Sequence, residues 1–483
     1  MNRLLQIPKP SISFCNNRSS FPYEINGVFN QHHSKPELDA LHPPLSSSIK
    51  SCKGITVCVS NNHLAVFTRG GGEEEERERS QVKVVDVATL GNLCVDVVLN
   101  VPELPPASLD ERKKYMERLA DSRPDKKYWE AGGNCNLAIA AARLGLHCVT
   151  LGHVGSEIYG HFLLNVLQEE GIVMVGMNED TVVAKSSSYE TLLCWVLVDS
   201  LQRHGFCSRA DFSKEPAFSW MSKLIGEVKM AIKQSKILFF NGYVFDELFP
   251  GLITTTLEYA IDVGTAIFFD PGPRGKYLIH GTPEQQKAIT LLLKMSDVLL
   301  LTADEAEALT GKTNPILAGQ DLIRNGMCVK WVIIKMGAHG SILITASTIT
   351  CAPAFKVDVV DTVGCGDSCT AAVVVSFLHG ISPVGTLALT NAVGAATAMG
   401  CGAGRNVATS SKVLELLRVS NLNEDDELWN DLIENVDATE ISLLSKTVIN
   451  GCCDRLSRVP MQIVVSELLP KLETLLKRRA VPS

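Results

Sequence analysis

With 483 residues, 46% of them hydrophobic, the chain is long enough for one large α/β domain plus extensions. A net charge of −8 with no long basic block argues against nucleic acid as a direct partner, because gripping a phosphate backbone needs clustered Lys and Arg. Fifteen cysteines without disulfide-framework or Cys-x-x-Cys spacing read as reduced thiols, and no uncharged apolar run approaches the roughly twenty residues of a membrane span.

Residues 1–80 stand apart. The first seventy or so are Ser- and Asn-rich, basic, and lack the continuous apolar centre of a secretory signal. That composition resembles an organelle transit peptide, read here as plastid, with mitochondrion or cytoplasm as alternative locations and a regulatory tail as the alternative role. Gly70-Gly71-Gly72 and the charged run after it form a solvated linker.

From Val82 to residue 418, short β-branched runs alternate with helical stretches. The runs are 82–87, 148–151, 192–198, 237–240, 266–269, 297–301 and 331–334. Near-continuous apolar strands separated by helices predict a mostly parallel sheet covered on both faces, with ligands at the carboxyl ends of its strands. Asn134 to Leu144 reads as a helix stopped by Gly145, and the polar stretch from Ser200 to Trp220 as an excursion from the sheet. Residues 419–483 read as a helical extension. Its stripes, Leu428, Trp429, Leu432, Ile433 and Val436, then Val465, Leu468, Leu469, Leu472, Leu475 and Leu476, should pack on the core. Pro470 should kink or split the second, and the basic residues 477–479 should form a solvated helix end.

Asp361-Thr362-Val363-Gly364-Cys365-Gly366-Asp367 lies between a β-branched run and an apolar helical stretch. Its glycines let backbone N–H groups converge at a helix start, an arrangement that stabilises phosphate oxygens. Asp367, one residue on, is placed to take a proton from a hydroxyl attacking phosphorus. Asp96, at the end of Gly91-Asn92-Leu93-Cys94-Val95-Asp96, suits a grip on vicinal hydroxyls. Gly132-Gly133-Asn134-Cys135-Asn136 permits close approach of a small polar ligand; both segments read equally as turn chemistry. Thr302-Ala303-Asp304-Glu305 starts a helix, with Glu305 either organising magnesium and its waters or stabilising the helix dipole. Gly337 and Gly340, after Lys335, would let a nucleotide lie on backbone, and no Walker A sequence is present.

In this order the segments resemble the ribokinase/PfkB carbohydrate kinase family, over roughly residues 82–415. The resemblance implies a three-layer α/β fold, a mostly parallel central sheet flanked by helices with a small β lid. It implies ATP-dependent phosphorylation of an alcohol group on a sugar or nucleoside-like substrate, with Mg²⁺ and a monovalent cation such as K⁺. By resemblance Asp367 is the base, and Gly364, Cys365 and Gly366 form the anion hole. Asp96, Gly133 and Asn136 hold the sugar; Glu305, Gly337 and Gly340 serve the nucleotide, Glu305 touching Mg²⁺ indirectly; Asp361 and the Val363 carbonyl approach the monovalent cation. The lid either pairs two chains into a homodimer or is capped within one.

Departures from the family pattern are informative. Cys365 replaces alanine; a thiol at a helix start is either inert or, with a lowered pKa, a redox sensor. Thr302 replaces the asparagine of Asn-x-x-Glu, which weakens without abolishing the implied Mg²⁺ or phosphate contact, while Glu157 in place of an aspartate and a first signature one residue short before Asn136 suggest an unusual substrate pocket. A catalytically weak regulatory or binding subunit in plastids, as in fructokinase-like proteins, is the alternative to an enzyme.

Overall fold

The structure, a computed structural model, describes residues 83–480 apart from 107, 122, 178–188, 201–202, 435, 437–439 and 447–455; the expected transit segment and linker lie outside the described residues. The strands are β1 (Val85–Leu90), β2 (Leu93–Asn100), β3 (Trp129–Gly133), β4 (Cys148–Gly152), β5 (Val173–Gly176), β6 (Leu192–Val198), β7 (His204–Ser208) and β8 (Ser235–Asn241). They continue with β9 (Ala266–Asp270), β10 (Val298–Thr302), β11 (Trp331–Lys335), β12 (Ser341–Ile344), β13 (Ile349–Ala352), β14 (Ile441–Ser445) and β15 (Leu456–Pro460).

Among the described residues the large sheet runs β15-β14-β13-β12-β11-β10-β9-β8-β1-β4-β5, parallel except where β12 opposes β11 and β13. Its central strands are apolar along their whole length because each face meets a core. Ile237, Phe239, Phe268, Leu300 and Ile333 enter one, while Leu238, Phe240, Phe269, Leu301 and Ile334 enter the other. Helices Asn134–Arg143, Cys365–Leu378 and Pro383–Ala398 cover the first face, and helices Pro250–Asp262, Pro283–Met295 and Pro315–Asn325 the second. The result is the expected three-layer arrangement.

A second, four-stranded sheet in the order β3-β2-β6-β7 forms the lid. The run 192–198, expected in the large sheet, is β6 of this lid, parallel to β2 and antiparallel to β7. An apolar run shows that a strand is buried, not which sheet buries it. The excursion expected from Ser200 corresponds to β7 and the turn after it. Helix Leu109–Ala120 packs along β7, with the Arg112 guanidinium donating to the Phe206 carbonyl.

The extension after residue 419 is not purely helical. β14 and β15 prolong the large sheet parallel to β13, and Ile441 and Leu443 enter one core while Leu444 enters the other. Five-residue strands leave too short a pattern to rival helical spacing. Both stripes pack on the core as expected: Trp429 is 1% exposed, and Met461, Val464, Leu468 and Leu472 are buried beside helices Pro383–Ala398 and Ser410–Val419. Helix Met461–Ala480 runs through Pro470 without the expected split. Pro470 and Ser466 both face solvent, where water can serve the carbonyl that proline leaves without a donor. Lys477 is exposed, and the side chains of Arg478 and Arg479 lie outside the described residues.

Candidate active site

The carboxyl ends of the strands and the inner face of the lid enclose a cavity of about 1100 Å³ lined, among others, by Asp96, Gly133, Asn136, Val363, Gly364 and Asp367. Groups far apart in sequence thus share one cleft. Asp96, on β2, is 5% exposed and lies so close to β3 that a Cβ on Gly132 would fall 2.2 Å from its Oδ1. Gly132 is therefore required by the carboxylate it faces, and Gly133 (φ 60°) by the Asn92 carbonyl, which a Cβ would meet at 2.5 Å. Asn136, in the first turn of its helix, donates to Asp367 Oδ2 at 3.2 Å, while its Oδ1 accepts the Gly404 N–H at 2.8 Å. Its amide is clamped between Asp367 and the segment following helix Pro383–Ala398.

Gly364 (φ 76°) turns the chain into helix Cys365–Leu378, and a Cβ there would meet Ala403 at 2.7 Å. Asp367 sits in the first helical turn, facing the cavity. Burial raises its carboxyl to about 6, with Asp270 adding to the rise and the Asn136 bond and Lys335 opposing it. Burial likewise raises Asp96 to about 7, with Asp367 among the smaller contributors. Lys335, at the end of β11, approaches the turn from below and donates to Asp270 Oδ2 at 2.7 Å. Burial works against its charge, but Asp270 and Glu305 hold it protonated above the ordinary lysine range.

Asp96 gives a direct stability test. Its proton is held more tightly in the fold than in the unfolded chain, so its contribution to stability is full below the ordinary carboxylate range and is lost as pH rises through about 7. Asp96→Asn is expected to match wild-type stability near pH 4 and to exceed it at pH 8 by no more than about 4 kcal/mol. Denaturant unfolding at both pH values measures this; equal stabilities at pH 8 would contradict the strain assigned to the ionised carboxylate.

The remaining expected residues divide. Cys365 and Gly366 follow Gly364 in the turn, and a Cβ on Gly366 would lie 3.6 Å from Lys335 Nζ, so the turn and the lysine are adjacent. Burial pushes the Cys365 thiol up, opposite to the lowered pKa that a redox sensor needs, and so favours the inert reading. Glu305 accepts the Thr302 N–H at 2.7 Å while Thr302 Oγ1 accepts the Glu305 N–H at 3.2 Å: the threonine replacing asparagine completes a capping box. Burial raises the Glu305 carboxyl, with Asp270 adding and Lys335 opposing. Gly337 (φ 58°) has open space before it, whereas a Cβ on Gly340 would meet Ala352 O at 2.0 Å, so Gly340 answers to packing on β13. Glu157 caps helix Ile158–Glu169 and also accepts the Thr191 N–H at 2.8 Å, a structural role outside the substrate cavity. Asp361 accepts the Val363 N–H at 3.0 Å and the Gly402 N–H at 2.6 Å.

Several participants carried no sequence signal of their own: Lys335 and Asp270, the Gly402–Gly404 segment, and Arg274. Arg274 lines the cavity and joins Asp246 at 2.8 Å to Asp211 at 3.0 Å.

A family model described as pfkB family carbohydrate kinase matches residues 84–409. The probable fructokinase-4 of Arabidopsis thaliana is 26% identical over 296 residues, 59% of this chain and 87% of that one. The 5-dehydro-2-deoxygluconokinase 2 of Bacillus cereus is 26% identical over 308 residues, 62% of this chain and 84% of its own. Among solved structures, ribokinase from Thermotoga maritima aligns with a TM-score of 0.51 at 22% identity, covering 69% of this chain and 99% of that one. Fructokinase with bound ATP from Xylella fastidiosa gives 0.53 at 20% identity, with coverage of 69% and 99%. The two solved structures share a ribokinase-like fold with this chain.

Proposed function

The chain belongs to the pfkB family of carbohydrate kinases, and from that premise we propose that it transfers the γ-phosphoryl group of ATP to an alcohol group of a sugar or nucleoside-like substrate held between Asp96 and Asp367. The observation that carries this reading is the single cleft shared by Asp96, Asn136, Gly364 and Asp367. Asp96 and the Asn136 amide orient the acceptor. Asp367 takes the hydroxyl proton as the oxygen approaches phosphorus, and the N–H groups of the turn at Gly364, Cys365 and Gly366 meet the charge gathering on the phosphoryl oxygens. Lid closure over the cleft excludes water and so limits ATP hydrolysis.

Magnesium would accompany the nucleotide. Among the described residues no group of three His, Cys, Asp or Glu side chains forms a metal cage. The donor chemistry instead suits an ion held mainly by phosphates and water, with Glu305 and Asp270 as the nearby carboxylates; such an ion neutralises phosphate charge.

A panel of fructose, ribose, adenosine and other nucleosides with Mg-ATP tests the activity. Phosphorylation of at least one is expected, and calorimetry showing neither ATP nor acceptor binding to folded protein would favour the binding-subunit alternative. The relatives named for fructose and for a deoxygluconate set the first acceptors to try.

Two further readings accompany this one. A plastid location is supported by the basic, Ser- and Asn-rich leader, and import of a leader-tagged reporter into isolated chloroplasts tests it. The lid is read as capped within the chain rather than paired with a second copy, since helix Leu109–Ala120 lies against β7 and its Arg112 occupies the Phe206 carbonyl. Sedimentation is expected to give a monomer; a dimer abolished by changes on β7 would overturn that reading.

A further inference from the structure

The turn that ends at Asp367 begins at Asp361, a carboxylate only 5% exposed. A buried carboxylate needs donors or a positive partner for both oxygens. Oδ2 takes the Gly402 N–H at 2.6 Å. Oδ1 takes the Val363 N–H at 3.0 Å and also lies 2.7 Å from His204 Nε2.

His204 belongs to β7, the edge strand of the lid, and not to the domain that carries the turn. Its Nε2 is buried, has no in-line hydrogen-bond acceptor among the described residues, and lies at ion-pair range from Asp361. Nearby in sequence, Val363 and Ala403 from the turn side pack with Val196 from the lid in a small apolar cluster. With two backbone N–H groups and the His204 ring converged on its oxygens, Asp361 has little room left for a metal ion there.

We propose that the His204 imidazole occupies the position beside Asp361 where a monovalent cation would otherwise sit, making His204 a positioning residue for the catalytic turn and the reaction independent of potassium. The positive or N–H face of the ring meets the carboxylate; the carboxylate, through the Val363 and Gly402 N–H groups, fixes where the turn starts. Because the imidazole comes from the lid, the turn is completed when the lid is closed over the acceptor. No potassium ion is then needed in the place the ring occupies.

The rate arm of the test rests on the phosphotransferase reading; the melting arm does not. Wild type, His204→Ala and His204→Gln are compared in potassium, sodium and tetramethylammonium chloride at equal ionic strength, following phosphotransfer to whichever acceptor is active and, separately, thermal melting. Wild type is expected to be indifferent to the cation, within about twofold in kcat. His204→Ala is expected to lose about tenfold or more in kcat in tetramethylammonium, and to regain rate and melting temperature selectively in potassium. His204→Gln, which keeps an N–H donor toward Asp361, should melt close to wild type without salt preference. Selective activation or stabilisation of wild type by potassium overturns the proposal, as does a His204→Ala protein whose melting is the same in all three salts. If no acceptor is phosphorylated by wild type, the activity reading fails and the melting arm still decides the question of the cation.

Discussion

Asp367→Asn is expected to lower kcat by about 10²- to 10⁴-fold, the usual cost of removing a well-placed base, while leaving the fold intact. The amide is isosteric and can still accept the Asn136 Nδ2–H that now reaches Asp367 Oδ2 at 3.2 Å. It also relieves a cost. Because burial raises the Asp367 carboxyl to about 6, the fold prefers it neutral, and at pH 8 the variant should be at least as stable as wild type. Loss of activity without loss of stability separates a chemical role from a structural one. The pH profile adds a second signature. In wild type the base is competent only when ionised, so kcat/KM rises with pH through about 6 and levels above it, with Asp96 titrating near 7 in the same cleft and broadening the rise. In Asp367→Asn the limb belonging to the base disappears. Equal kcat in the two proteins would remove Asp367 from the chemistry.

What could be read from sequence was what lies in contiguous motifs. The turn 361–367, the Gly-Gly-Asn segment and Asp96 each place a candidate atom within a few residues of the backbone feature that positions it, and it was their order along the chain, through the family resemblance, that raised the last two above ordinary turn chemistry. The parallel sheet was legible because strands buried on both faces are apolar throughout. Residues whose roles arise from pairing across the chain were not. Gly404 supports Asn136 from 268 positions away, Lys335 meets Asp270 from 65, and His204 reaches Asp361 from the lid, and no local pattern distinguishes these from ordinary loop and strand-end residues. Where the sequence left two readings of Glu305, the structure adds a capping box with Thr302 while leaving the carboxyl beside Asp270 and Lys335. The strands β14 and β15 were hidden for a different reason, since five residues between two strong helical stripes offer little contrast.

Lys335→Met is expected to be the most destabilising single change near the site. Lys335 and Asp270 form a pair 2.7 Å apart whose side chains are 13% and 15% exposed, and Glu305 leans on the same positive charge. Removing the ammonium strands Asp270 and Glu305 with no counter-charge, a situation that costs about 3–5 kcal/mol when one partner of a buried pair is deleted. Chemistry suffers as well. Lys335 is among the groups that hold the Asp367 carboxyl down, so its loss moves the rising limb of the pH profile upward and leaves less ionised base at neutral pH. The double change Asp270→Asn with Lys335→Met removes both charges, and should recover much of the stability while kcat stays low, because the positive charge beside the turn at Gly366 is still missing. Denaturant unfolding of the single and double variants, read beside their pH profiles, makes the comparison. A Lys335→Met protein as stable as wild type, with its pH profile unmoved, would show that the lysine does not link Asp270, Glu305 and the base.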